Sequence, residues 1–163
     1  MSEGKDKVLK NTWILWAHDG ESSDWTLKSY EKLCEITNIS EFWKLLNNFE
    51  ILNVQMKNYF LMKNGITPLW EDKENRYGGI ASFRVEYGKY IDLWTDLCMY
   101  TISENIYTNM DDINGISLGA KNSWVVIRLW NKSVKNISSN LNEDFLKKYS
   151  YLATRYKKNE PIY

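Results

Sequence analysis

Strand-like segments bounded by turn signals make up most of this chain, while three shorter stretches follow a helical period. Residues 80–87 (IASFRVEY) alternate as a strand, and 123–131 (SWVVIRLWN) is a second, more continuously apolar strand. TWILWAH (12–18) is a Trp- and Ile-rich strand that stops at the Asp19-Gly20 turn signal. NGISLGA (114–120) and the 123–131 segment form a hairpin around Lys121 and Asn122. Further strands are expected at 26–36, where the alternation is poor, at 59–65, and in the terminal SYLATRYKK. Phe42, Leu45, Leu46 and Phe49 fall at i, i+3, i+4 and i+7, a core stripe on a helix capped by Ser40. Trp94, Leu97, Cys98 and Thr101 give a second helix within 89–104, and NLNEDFLKKY begins a third, with Asn140 or Asn142 as cap. Antiparallel runs with interspersed helices predict an α+β fold, one curved sheet carrying helices on one face.

No Pro/Gly/Ser linker or internal repeat divides the sequence. Residues 1–10 are expected to be a flexible arm and 11–163 one domain. Lys plus Arg and Asp plus Glu both number 21, so bulk positive charge does not hold this chain on nucleic acid. The unusual feature is aromatic: 8 Trp, 11 Tyr and 5 Phe, 15% of the chain. Many flat rings on a neutral chain favour stacking of a flat ligand or anchoring of partners. His18 is the one histidine, which excludes mechanisms needing a His pair, and by itself reads as a strand-end residue. Cys34 and Cys98 have no metal-ligand spacing and read as reduced thiols of a cytoplasmic or nuclear protein. The polar start MSEGKDKVLK carries no signal core, and no apolar run approaches the ~18 residues of a membrane span. No cofactor is expected.

PLWED (68–72) concentrates the chemistry. Trp70 in a polar loop is hard to explain as core. Glu71 beside it can accept two parallel N–H bonds from a planar donor pair such as the Watson–Crick edge of guanine. A second ring would close a stack, and Trp25 in the polar ESSDW stretch is the candidate. Two indoles and a carboxylate suit a cationic purine. The alternative is that Trp25 and Trp70 merely plug the ends of the sheet.

MKNGITPLWEDKENRYGG resembles the signature of the eukaryotic translation initiation factor 4E family, which binds the 7-methylguanosine cap of mRNA. TWILW, EFWKLL, LWTDLC and the strand pair ending in Trp130 carry the same resemblance, which spans roughly three quarters of the chain. Its composition, rich in Asn, Lys, Ile and Tyr, suits a divergent member, viral ones included. The resemblance implies helices on the convex face, a cap pocket on the concave side, and a monomer. It implies that Trp25 and Trp70 are the stacking pair, that Glu71 reads the guanine edge, and that Trp130 packs near the N7 methyl group.

On the phosphate side the sequence departs from the family. Lys121 keeps one expected cation, Val126 loses another, and Ile80 stands where an arginine commonly follows Gly-Gly. Trp124, Val126, Arg128 and Trp130 share one strand face by period two, so Arg128 is either the replacement phosphate contact or a solvated strand residue. Trp124 either stacks on the first transcribed nucleotide or is an exposed sheet aromatic. The basic RYKK tail either reaches the phosphates or is solvated.

The resemblance also implies a dorsal groove for a partner helix of the Tyr-x-x-x-x-Leu-hydrophobic type, formed by Ile39, Trp43 and Asp96, with Leu9 less securely. Periodicity agrees independently. Trp43 lies about 100° from the core stripe and faces outward with Lys44 and Asn47. A translation factor that binds capped mRNA and recruits a scaffold protein is the leading expectation. A cap-binding repressor or competitor without the scaffold is the alternative. A cap-processing enzyme has no support, for there is neither a glutamate-rich metal helix nor a glycine-rich loop after a strand.

Overall fold

Strand residues of opposite parity build two separate hydrophobic layers. In the computed structural model, which describes residues 8–47 and 53–160, seven strands form one antiparallel sheet in the order β2-β1-β3-β5-β6-β4-β7. They are β1 (Val8–Asp19), β2 (Tyr30–Asn38), β3 (Lys57–Lys63), β4 (Gly79–Glu86), β5 (Ile113–Lys121), β6 (Trp124–Asn131) and β7 (Thr154–Lys158). Trp13, Leu15, Phe83, Val85, Val125, Ile127 and Leu129 all face one way, into the main core. Onto that face pack α1 (Ile39–Asn47), α2 (Tyr90–Ile102) and α3 (Glu143–Lys148), through Phe42, through Leu93, Trp94, Leu97 and Cys98, and through Phe145. The alternate residues Ile14, Trp16, Phe60, Met62, Ile80 and Trp130 form a smaller layer on the helix-free face. Trp13 and Trp16, three apart on β1, therefore belong to different layers, as strand geometry requires.

Local chemistry sets the element ends. The β5–β6 hairpin turns at Asn122, which adopts a left-handed φ of 59°. Asn142 caps α3, its Oδ1 accepting the N–H of Asp144 and Phe145. Ser40 does not cap α1. That helix starts at Ile39, and Asn38 Oδ1 accepts the Glu41 N–H at 2.9 Å, while Glu41 Oε1 receives the Thr37 N–H and hydroxyl. This reciprocal pair satisfies orphan donors that a serine inside the first turn would leave open. The second strand begins at Tyr30 rather than at residue 26, after a 3-10 turn at Leu27–Ser29. β1 begins at Val8, within the stretch expected to be an arm, and residues 1–7 lie outside the described residues. Phe49 of the expected core stripe also lies outside them.

Candidate functional site

The helix-free face is floored by rings. Trp130 is buried, donates Nε1–H to Ser117 Oγ at 3.0 Å, and meets Phe60 edge-on with centroids 6.1 Å apart. Phe60 in turn meets Tyr30 at 5.5 Å. Ile66 and Trp70 pack against the same cluster.

One wall is the segment between β3 and β4 that carries Trp70 and Glu71. A fully buried asparagine holds it. Asn75 Nδ2 donates to the carbonyls of Thr67 (2.9 Å) and Leu69 (2.8 Å), bracketing the Pro68 turn just before Trp70. Asn75 Oδ1 receives Asn114 Nδ2 at 2.8 Å, and the Asn75 carbonyl receives Asn159 Nδ2 at 2.7 Å, so β5 and the chain after β7 brace the loop. Asp72 closes the turn from within, accepting from the N–H and hydroxyl of Thr67 and from the Glu74 N–H. The Arg76 guanidinium donates twice to the Glu71 carbonyl, at 3.2 and 2.7 Å. The Gly-Gly pair has a steric cause. A Cβ on Gly78 would strike the carbonyl of Asn131, and one on Gly79 would strike the Tyr156 ring.

The other wall is the β1–β2 connection. Trp25 is 51% exposed, yet its ring lies on His18 with centroids 4.0 Å apart and planes within 10°. His18 itself is buried, and its Nε2–H donates to the Asp24 carbonyl at 2.7 Å, which fixes the tautomer. Asp24 accepts from the Thr26 N–H and hydroxyl, and these bonds hold its carboxyl below its ordinary range. Tyr30 joins the walls. It packs against His18 at 4.6 Å and lies 6.5 Å from Trp25. Burial, reinforced by the nearby Glu71 carboxylate, pushes its phenol well above its ordinary range. Trp25 and Glu71, far apart in sequence, thus both lie near the tyrosine that reaches the Trp130 floor through Phe60.

Arg128 stands on this face two residues from Trp130, half-buried between Ser117 and Ser82 of the flanking strands, and burial lowers its pKa. Lys121 is exposed at the hairpin end, paired across strands with Trp124. Sequence reasoning missed His18 as the ring beneath Trp25. It also missed Asn75, Asn114 and Asn159, for which no local pattern exists. On the opposite side of the molecule, Ile39, Trp43 and Asp96 line a single groove of about 400 Å³ with Phe42, Met99 and Tyr100. Trp43 is 42% exposed there. Asp96 already accepts from Lys148 Nζ at 2.7 Å and from the Tyr149 hydroxyl. Leu9 packs against the main core.

Residues 8–160 match the family model described as eukaryotic initiation factor 4E. The chain belongs to the eukaryotic initiation factor 4E family. Members of this family are non-enzymatic cap-binding factors of translation initiation. The eukaryotic translation initiation factor 4E of Eremothecium gossypii is 31% identical over 146 residues, covering 83% of this chain and 69% of that protein. Across the first three such relatives the matched region spans 49–69% of their own length. The fold superposes on that of Ascaris suum eIF4E-3 solved with the m7G cap, with a TM-score of 0.82 at 22% identity over 95% of this chain and 92% of that one. A schistosome eIF4E complexed with m7GpppG and 4E-BP gives 0.77 at 18% identity, over 94% and 90%. Among the described residues, no helix is long and apolar enough to cross a membrane, and no group of His, Cys, Asp and Glu is placed to hold a metal ion.

Proposed function

We propose that this protein binds the 7-methylguanosine cap of mRNA between Trp25 and Trp70. Glu71 accepts the N1–H and N2–H of the guanine edge, and Trp130 lies beneath the N7 methyl. The observation that carries this reading is the convergence of an exposed indole and a carboxylate on Tyr30, above a floor of buried rings. A stacked base gains ~1–3 kcal/mol per ring. A bidentate contact to the base edge adds about 1–3 kcal/mol of discrimination. The positive charge of the methylated base favours it over guanosine between indole faces. Lys121 and Arg128 face the attached phosphates, and no covalent step occurs.

The groove of Ile39, Trp43 and Asp96 takes an amphipathic helix of a scaffold protein, with Trp43 as its anchor. The test is retention of the purified protein on immobilised 7-methylguanosine diphosphate. Trp70→Ala and Glu71→Gln abolish retention while leaving the circular dichroism of the fold intact; unaltered retention by either variant places the base elsewhere. A second reading, a cap-binding repressor that recruits no scaffold, is favoured by one observation. Asp96 is already engaged by Lys148 and Tyr149, which a partner using that carboxylate has to displace. Capture by a Tyr-x-x-x-x-Leu-hydrophobic peptide, lost in Trp43→Ala, supports the initiation role. No capture by any such peptide leaves the repressor.

A further inference from the structure

Glu71 can orient a base edge only if its own backbone is held still. Two contacts hold it directly. Asn75 Nδ2 donates to the Leu69 carbonyl at 2.8 Å on one side, and the Arg76 guanidinium donates to the Glu71 carbonyl on the other. Both donors sit on the same short turn, residues 75–78, which the Gly78 N–H closes by donating to the Asn75 carbonyl at 3.0 Å. The position of that turn therefore sets the position of Glu71.

Asn159 fastens this turn at both ends. Its backbone N–H donates to the Gly78 carbonyl at 3.0 Å, and its Nδ2 donates to the Asn75 carbonyl at 2.7 Å. Asn159 follows β7 directly and is itself fixed. β7 pairs with β4 from Lys158 opposite Gly79 to Thr154 opposite Phe83. The Tyr156 hydroxyl donates to the buried Asn131 Oδ1 at 3.0 Å, and the Tyr156 ring takes the space that a Cβ on Gly79 would need. Two features set Asn159 apart from a residue that only fills space. It is 3% exposed and its Oδ1 has no hydrogen-bond partner among the described residues, so an apolar side chain would cost less there unless the donor matters. It also lies outside the main core, so its bond to Asn75 can be lost while the core and the β4–β7 ladder stand.

We propose that Asn159 is a positioning residue for base recognition. By clasping the 75–78 turn it holds Glu71 where the carboxylate meets the guanine edge. It thereby sets the preference for guanine over other purines, and leaves the strength of stacking to the rings. Stacking is spread over a ring face and tolerates small shifts, whereas a two-point contact to a base edge has to be held within about 0.5 Å. The chain end thus takes part in reading a base that it does not touch. The proposal rests on the cap reading above, so its test separates the two.

The intact protein is titrated with 7-methylguanosine diphosphate and with 7-methylinosine diphosphate, which keeps the methyl charge and the phosphates and lacks only the 2-amino group. The wild type prefers the guanosine compound by about tenfold, within the discrimination of a bidentate edge contact. Asn159→Ala, and Asn159→Ser, whose hydroxyl is too short to reach the Asn75 carbonyl, each reduce that preference to about twofold and leave the affinity for the inosine compound within about twofold of wild type. Titrations are made below the onset of thermal unfolding, with near-ultraviolet circular dichroism showing native packing. A residue that only supports the fold lowers the melting temperature and leaves the ratio of the two affinities unchanged. If the folded variants keep the full preference, or if neither variant folds, Asn159 is a stability residue; the clasp is then wrong and the cap reading stands on the wild-type preference. If the wild type binds the two compounds equally, or binds neither, the Glu71 reading and the clasp fall together.

Discussion

The two walls of the site are made in opposite ways. The Trp70 wall hangs on buried side-chain bonds reaching across the chain, from Asn75 to Asn114 and Asn159. The Trp25 wall is held by one ring stack on His18 and by bonds between residues close in sequence, Asp24 to Thr26 and Asp24 to His18. A wall tied into the sheet can orient a ligand edge, which is the task proposed for the Glu71 beside it. A wall tied mainly to itself can adjust its plane to a ligand face, which is what a stacking ring needs. The difference predicts that damage to the first wall shows in both stability and binding, and loss of the exposed Trp25 ring of the second in binding alone.

The largest effect is expected from Asn75→Ala. It removes the side-chain donor of the Thr67 and Leu69 carbonyls, leaving Leu69 with only the Asp72 N–H, and takes from Asn114 Nδ2 its 2.8 Å acceptor, leaving only the Glu74 carbonyl, around a fully buried position. Unsatisfied buried groups at this density cost about 3 kcal/mol or more. Urea unfolding should register that loss, with weakened cap retention at temperatures where the variant is still folded. A stability within 1 kcal/mol of wild type would mean that the wall does not depend on this network.

Trp25→Ala makes the contrasting case. Half of that side chain is already in water, so the unfolding midpoint should stay close to wild type. Cap affinity should fall by ~1–3 kcal/mol, the value of one stacked ring. A large drop in stability would show that the two walls are not built differently after all.

How much of this was legible beforehand follows from the range of each interaction. Period-two and helical patterns are local, so the hairpin at Asn122, the Asn142 cap, and the outward Trp43 were all visible in the sequence. Trp25, Trp70 and Glu71 stood out from their polar loops, but those loops alone left the two indoles as possible end plugs of the sheet; the resemblance was what weighed against that reading. His18 read only as a strand-end residue, since a sequence does not show that a strand-end imidazole lies under an indole. Lys157 beside Ile80 and Arg84 beside Val126 depend on strand order, with β4 between β6 and β7, and no one-dimensional pattern fixes that order. A face that looked poor in cations residue by residue carries Arg84 and Lys157 beside those apolar positions once the strands are laid together.

The His18 stack gives a finer test of the second wall. His18→Ala removes the surface beneath Trp25 and should weaken cap binding by about 0.5–1.5 kcal/mol, the range of an aromatic pair. His18→Phe restores a flat ring at the sacrifice of the Asp24 bond and should recover most of that affinity. Equal losses in the two variants would assign the effect to the hydrogen bond, not the stack.

The smallest effect is electrostatic and confined to the same wall. Asp24 is an exposed carboxylate whose pKa is held below the ordinary 3.8 by the Thr26 hydroxyl and N–H. Because the folded value is the lower one, its contribution to the turn is present above the unfolded pKa and is lost as pH falls through the folded one. Thr26→Val deletes the larger of the two bonds and keeps the backbone one, so the pKa should rise part of the way back. An NMR titration of the Asp24 carboxyl should find its midpoint below 3.8 in wild type and closer to 3.8 in the variant. Asn75→Ala should leave that midpoint unmoved, because the Asp24 turn is closed by its own neighbours. A shift there would instead couple the two walls and undo the distinction between them.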